Sequence, residues 1–259
     1  MGISEPYPGT QAVLRAVALL KAFTDSQPEL GLTELARTAG LNKTTTYRLL
    51  TALESEGMVA RSSTTEAYRL GPEAIALGGR ALRSNDLRTA SHAELEALAE
   101  AVRETATLEV LADEGQVLIL DEALGPFVVG NTQSIGTRWP AHATSTGKVL
   151  LAYLPKIKQE AALRGGLPRL TGKTIGSITA LRRELARVRE QGYATAVGEL
   201  EAGFVAVSAP VFNHEGEVVA AISVGGPNAR LTESRLPEIA GLVKQAATRI
   251  SQRLGYRKP

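Results

Sequence analysis

Residues 30–59 read LGLTELARTAGLNKTTTYRLLTALESEGMV. Leu32, Leu35, Ala36 and Ala39 recur at i, i+3, i+4 and i+7, the single apolar face of a short helix that starts near Thr33. Gly40 suits the left-handed residue that ends such a helix, and Leu41 supplies one apolar anchor in the turn. Asn42 can cap a second helix from about Lys43 to Glu56, with Tyr47, Leu50 and Leu53 inward and Gly57 as its stop. Two short helices joined by a glycine-containing turn form a helix-turn-helix.

Working outward, Ala16, Leu19, Leu20 and Phe23 give a helix over Gln11 to Phe23. Pro8 and Gly9 precede it, Thr10 caps it and Asp25 to Pro28 closes it. After Gly57 the pattern changes to two strand-like runs, Met58 to Arg61 and Ala67 to Leu70, around the polar turn Ser62 to Glu66. A hairpin in that place is a wing. Residues 73–105 read as helix, broken near Gly78-Gly79 and again near Ser84-Asn85. The chain therefore divides into a winged helix-turn-helix over 8–71, a linker helix over 72–85 and a larger domain over 86–259.

In that larger domain, Thr107 to Ala112 and Gln116 to Asp121 flank the turn Asp113-Glu114-Gly115. Ser145 to Tyr153 is helical up to Pro155, and Ile178 to Gln191 is an amphipathic helix ended by Gly192. Tyr193 to Val197, Phe204 to Phe212 and Val218 to Val224 are strands, the last two joined by a turn at 213–216. A final helix runs from Thr232 to about Leu254. Hairpin-built strands with helices alongside predict an α+β domain, not a doubly wound sheet.

The 259 residues carry 44 % hydrophobic and 22 % charged side chains, as an ordinary globular protein does. No apolar run reaches the ~18 residues of a membrane helix. The start, MGISEPYPGT, has neither the basic nor the apolar region of an export signal, so a cytoplasmic protein is expected. There is no cysteine, which excludes disulfides, cysteine–zinc sites and thiol nucleophiles. The net charge is only +2, so a nucleic-acid binder must concentrate its positive charge locally.

The second helix does so. With its apolar residues inward, Lys43, Thr44, Thr45 and Arg48 are left outside at its N-terminal half, where a recognition helix meets base edges in a major groove. Arg37 on the preceding helix, and Arg61 and Arg69 on the wing, extend the basic face.

These stretches resemble the IclR family of bacterial transcription regulators. LTELARTAGLNKTTTYRLLTALESEGMV (32–59) is similar to its DNA-binding core, and YRLGPEAIALG (68–78) to its wing end and linker start. WPAHATSTGKVLLAYL (139–154), GYATAVGELEAGFVAVSAPVF (192–212) and VVAAISVGGP (218–227) match landmarks of its ligand-binding domain, in order. The resemblance implies a GAF-like mixed α/β effector-binding domain and homodimers, often pairing into tetramers. It also implies double-stranded DNA as partner, at palindromic operators, with a metabolite modulating binding. No cofactor, metal or membrane is implied.

Small residues at 142–148 just before a helix let backbone N–H groups meet an anion, and a metabolite carboxylate is the natural guest. By resemblance, Ser145 and Thr146 hold the ligand through the backbone, Glu199 or Gly198 falls near a carboxylate-bearing loop, and Ala206 and Ser223 line the pocket. Gly225 stands where some members carry a second serine and Ala206 where some carry cysteine, so this pocket is expected to be less polar or roomier. The competing reading of the Thr-Ser-Thr run is a simple N-cap.

Two further motifs are incomplete. Ser145-Thr146-Gly147-Lys148 is formally S-x-x-K, but the companion S-D-N and K-T-G motifs of penicillin-binding enzymes are absent. Gly166 to Thr174 resembles a P-loop with one residue too many between its glycines, and reads as a surface loop. His92, His142 and His214 lack ligand spacing. The expected function is thus a non-enzymatic, metabolite-responsive DNA-binding regulator, a repressor or an activator. The alternatives are a small-molecule-binding protein or enzyme with a vestigial DNA-binding domain, and a winged-helix protein–protein module.

Overall fold

The computed structural model describes residues 9–112, 115–127 and 134–257. Pro8, and Asp113 and Glu114 of the expected hairpin turn, lie outside the described residues. The chain divides into two compact units at Ser84/Asn85.

The N-terminal unit runs α1 (Gln11–Lys21), β1 (Glu29–Leu30), α2 (Leu32–Thr38), α3 (Lys43–Ser55), β2 (Val59–Arg61), β3 (Tyr68–Leu70) and α4 (Pro72–Arg83). Leu19, Leu30, Leu35, Leu50, Val59 and Tyr68 bury themselves in one core. The wing is β2 antiparallel to β3, and β1 adds a third strand that periodicity could not reveal in two residues. Gly40 and Gly57 take positive φ, +65° and +67°, where α2 and α3 end. The Asn42 side-chain oxygen accepts the Thr45 N–H at 2.8 Å, capping α3. Asn42→Ala should cost α3 about 1 kcal/mol. Hydrogen exchange at the Thr45 amide should then quicken several-fold, and unchanged exchange would contradict the cap.

Two expectations need correction here. Tyr47 does not face the core: it is 49 % exposed, and the buried positions of α3 are Thr46 and Leu50. Thr46 can go inside because its hydroxyl donates to the Asn42 carbonyl at 2.9 Å. The inward set is Thr46, Leu49, Leu50 and Leu53, with a hydroxyl hidden in an apolar stripe. Nor is the next helix broken at Gly78-Gly79, since α4 is continuous from Pro72 to Arg83 and ends at Ser84. Proline in its first turn, arginines in its last, and an Arg80–Glu73 ion pair at 3.2 Å offset the two glycines.

The C-terminal unit runs α5 (Asp86–Val102), β4 (Thr105–Leu111), β5 (Gln116–Ala123), β6 (Arg138–Pro140), α6 (Ser145–Tyr153), α7 (Lys156–Ala162), α8 (Ile178–Gln191), β7 (Ala194–Val197), β8 (Phe204–Phe212), β9 (Val218–Pro227) and α9 (Leu236–Arg253). A short 3-10 turn, Glu233–Arg235, stands between Thr232 and α9, so the last helix begins later than expected. The six strands form an antiparallel sheet in the order β6-β5-β4-β9-β8-β7. One face carries Ala106, Leu108, Val207, Ile222 and Val224 against α5 and α9. The other carries Val117, Ala194 and Ala221 against α6 and α8.

A register shift between Leu108 and Glu109 puts an extra residue, Leu120, into β5. Beyond it the strand's faces exchange. Asp121 therefore points toward α5, fully buried, and is met by Arg88 Nε at 3.0 Å and His92 Nδ1 at 2.7 Å.

Candidate ligand cavity and nucleic-acid interface

On α3, Lys43, Thr44 and Arg48 are exposed, and Thr45 is half-buried beneath its capped amide. Tyr47 and Thr51 join this outer face, which sequence periodicity had assigned differently at position 47. Lys43, Tyr47 and Thr51 are spaced i, i+4 and i+8, so they stand in one row beside Thr44 and Arg48. Arg37 is exposed in the last turn of α2 and Arg69 on β3. Arg61 differs from the others. Its guanidinium bonds the buried Tyr68 hydroxyl, stacks over that ring at 4.9 Å and pairs with Glu66 at 3.3 Å. Those contacts hold the wing hairpin together and leave Arg61 less free to reach a phosphate than Arg69.

In the other unit, a cavity of about 630 Å³ lies between the sheet and the start of α6. Ser145, Thr146, Ala206, Ser223 and Gly225 all line it. Its walls are largely apolar, with Ile119, Trp139, Leu170, Leu200 and Phe204. A Cβ built on Gly225 would approach the Phe204 ring to 2.7 Å. Phe204 therefore fills the space that the absent serine side chain leaves, which makes the cavity less polar but not roomier there.

The N-cap reading holds for the first residue of the Thr-Ser-Thr run. The Thr144 hydroxyl accepts the Gly147 N–H at 3.0 Å and so caps α6, while Ser145 lines the cavity. Gly147 packs so closely on Ala141 that a Cβ would come within 2.1 Å of its carbonyl oxygen. That contact sets the start of α6 against the strand β6 end.

Glu199 lies outside the lining, and its place at the rim is taken by Leu200 and Glu201. The Glu199 carboxylate instead pairs with Lys148 at 2.7 Å. Lys148 is 1 % exposed and donates as well to the Thr195 carbonyl at 2.6 Å, with Glu184 at 3.4 Å. Burial raises the Glu199 carboxyl above its ordinary value, an effect Lys148 partly offsets, and its second oxygen makes no hydrogen bond. With its ammonium committed to β7, α8 and the 198–201 loop, Lys148 does not serve Ser145 as an S-x-x-K partner would.

The stretch that resembles a P-loop is a clamp on the same loop. Thr171 donates to the Gly198 carbonyl and Thr174 to the Glu199 carbonyl, both at 2.6 Å, and Thr174 is buried. His142 is buried with Nε2 3.0 Å from the Pro168 carbonyl. No group of histidines and carboxylates that could hold a metal occurs among the described residues.

Sequence reading missed Glu109. It stands on β4 beside Thr107, 6 % exposed, and its carboxyl lines the cavity. Thr146 donates to one of its oxygens at 2.5 Å and Thr107 to the other at 2.9 Å. Thr107 also meets Ser223 at 2.8 Å, so a chain of hydroxyls runs across the cavity floor. Burial pushes the Glu109 carboxyl up, against the pull of the two hydroxyls.

Residues 12–63 match the IclR helix-turn-helix domain and residues 79–252 the bacterial transcriptional regulator IclR C-terminal domain. The chain belongs to the IclR family. It is 34 % identical over 246 residues to the HTH-type transcriptional regulator KdgR of Escherichia coli K12, covering 95 % of this chain and 93 % of that one. Among solved structures it is similar to an IclR transcriptional regulator of Alicyclobacillus acidocaldarius, with TM-score 0.84, 31 % identity, and 94 % and 98 % of the two chains covered. An IclR homologue of Microbacterium hydrocarbonoxydans, solved with 4-hydroxybenzoate, matches with TM-score 0.78 at 29 % identity over 94 % and 98 %. As an IclR-family member the chain is a helix-turn-helix DNA-binding transcription regulator with an effector-binding domain. Among its described residues no helix is long and apolar enough to cross a membrane.

Proposed function

We propose that this regulator is a cytoplasmic, non-enzymatic homodimer or dimer of dimers that places two copies of α3 in successive major grooves of a palindromic operator. Lys43, Thr44, Thr45 and Arg48 are assigned to the groove, and Arg37, Arg61 and Arg69 to flanking phosphates. The observation that carries this reading is the exposed row of α3 combined with its helix-turn-helix setting. Exposed Val13, Leu14 and Val17 on α1, and Ile75 and Leu77 on α4, are apolar surface that supports self-association. A gel shift with DNA upstream of its own gene, at several salt concentrations, tests the reading. Binding that weakens steeply with salt, yet favours that DNA over unrelated sequence, is expected. Equal affinity for both sequences would contradict it.

The effector is assigned to the cavity at Ser145, Thr146, Ala206, Ser223 and Gly225, and is a small metabolite carrying a carboxylate. The first amides of α6 have no intrahelical acceptor and favour an anion. The homologue that holds 4-hydroxybenzoate supports an organic acid. Binding shifts operator affinity only through a difference in effector affinity between DNA-bound and free arrangements. Ser223→Phe should fill the floor of the cavity, abolishing effector heats in calorimetry while operator affinity stays within about twofold of wild type. Retained heats would place the effector elsewhere.

A further inference from the structure

The cavity contains a feature that conflicts with an anionic guest. An ionised Glu109 would stand in the same low-dielectric space as the effector carboxylate and repel it. Among the described residues no buried cation lines the cavity to resolve this from inside. The charged groups lining the cavity among the described residues, besides Glu109, are Arg138 and Glu201, both exposed.

Among the described residues, the elements packed around Glu109 bring no buried counter-ion either. Across β9 it faces Ala221, and across β5 it faces Ile119. The nearest acid on the same face of β5, Glu122, is occupied by the Ser134 amide and hydroxyl. From α6 comes Thr146, while Lys148 on that helix is spent on Thr195, Glu199 and Glu184. Burial pushes the Glu109 carboxyl up, while the Thr146 and Thr107 hydroxyls pull it down.

We propose that Glu109 is the selectivity residue of this cavity, held as a neutral acid that accepts from the Thr107 and Thr146 hydroxyls and donates its own O–H to the effector carboxylate. This rests on the cavity being the effector site. The Thr146 hydroxyl, in the first turn of α6, donates to Glu109 and has a second acceptor in Thr144 at 3.4 Å, so it can yield if the carboxyl turns toward the effector. An acid effector is then held between the α6 amides and the Glu109 acid, and one proton remains on Glu109 in the complex. The affinity for anionic acids is highest where Glu109 is protonated and falls about tenfold per pH unit once it ionises. A cationic effector would show the opposite slope, because it would bind ionised Glu109.

The sign for the unliganded protein follows from the same group. The native state keeps the Glu109 proton above the pH at which the unfolded chain loses it. Stability therefore falls as pH rises through that window, and Glu109→Gln, which keeps the shape and both hydroxyl partners, removes the slope.

The test uses the full chain, with Trp139, its single tryptophan, as a fluorescent reporter in the cavity wall. Benzoate, 4-hydroxybenzoate, pyruvate and benzylamine are titrated against wild type and Glu109→Gln between pH 5.5 and 9. The expected result is a wild-type affinity for an acid that declines with pH and a flat profile in Glu109→Gln. A flat wild-type profile, an equal slope in the variant, or preferential binding of benzylamine that tightens with pH would overturn the proposal. If none of the probes binds at any pH, the assignment of the cavity to small acids fails. Infrared difference spectra of unliganded wild type against Glu109→Gln then decide the state of Glu109 on their own. A protonated-carboxyl band at neutral pH supports the proposal, and a carboxylate band overturns it.

Discussion

Lys148→Ala should cost the C-terminal unit about 3–5 kcal/mol, the penalty for leaving buried charges without their partner. Its ammonium holds together the Thr195 carbonyl and two carboxylates, Glu199 and Glu184, that are 12 % and 13 % exposed. Removing it takes a partner from all three and opens a void in α6 as well. Arg187 still pairs with Glu184 at 2.8 Å, so the greater damage falls on Glu199 and the loop it anchors. That loop carries the Leu200 and Glu201 rim of the cavity. Lys148→Met combined with Glu199→Gln should recover much of the loss, because an apolar stem beside a neutral amide leaves less buried charge unpaired. Denaturant unfolding followed by Trp139 fluorescence reports on this unit alone. A loss below about 1 kcal/mol for Lys148→Ala would show that Glu184 and Glu199 find other solvation, and that the cluster does not fix the rim.

Arg48→Ala should weaken specific operator binding by about 1–3 kcal/mol, roughly 5–150-fold, if its guanidinium makes a two-pronged contact with a guanine edge. The side chain is exposed on α3 and no core contact depends on it, so folding should be unaffected. Arg69→Ala should behave differently. Arg69, exposed on the wing strand β3, is assigned to a phosphate, so its loss should weaken all sequences alike and lower the salt slope by about one. Fluorescence anisotropy with labelled duplexes at several salt concentrations separates the two.

The helix-turn-helix was legible because every boundary had a chemical marker. Gly40, Asn42 and Gly57 each perform at the end of a helix what their side chains, or lack of one, permit. The face of α3 was misread by one residue, because Tyr47 is the more apolar of two neighbours and Thr46 hides its hydroxyl on a backbone carbonyl. Hydropathy cannot see that bond. The same limit concealed Glu109, which in the run TATLEVL looks like an outward strand residue. It faces a cavity only because α6 crosses that side of the sheet, a long-range contact with no local signal. Asp121 was hidden by the bulge, which exchanges strand faces after Leu120. The start of α6 was readable from its small residues, but Glu199 was not placed correctly, since its partner Lys148 is 51 positions away.

Base reading by the outer row of α3 is checked by titrating wild type and Arg48→Ala against the operator and against a set of operators changed one base pair at a time. Wild type should lose about 1–3 kcal/mol at the pair assigned to Arg48, and Arg48→Ala should no longer distinguish that pair while keeping its preferences elsewhere. Full affinity with an unaltered preference profile in Arg48→Ala would contradict it.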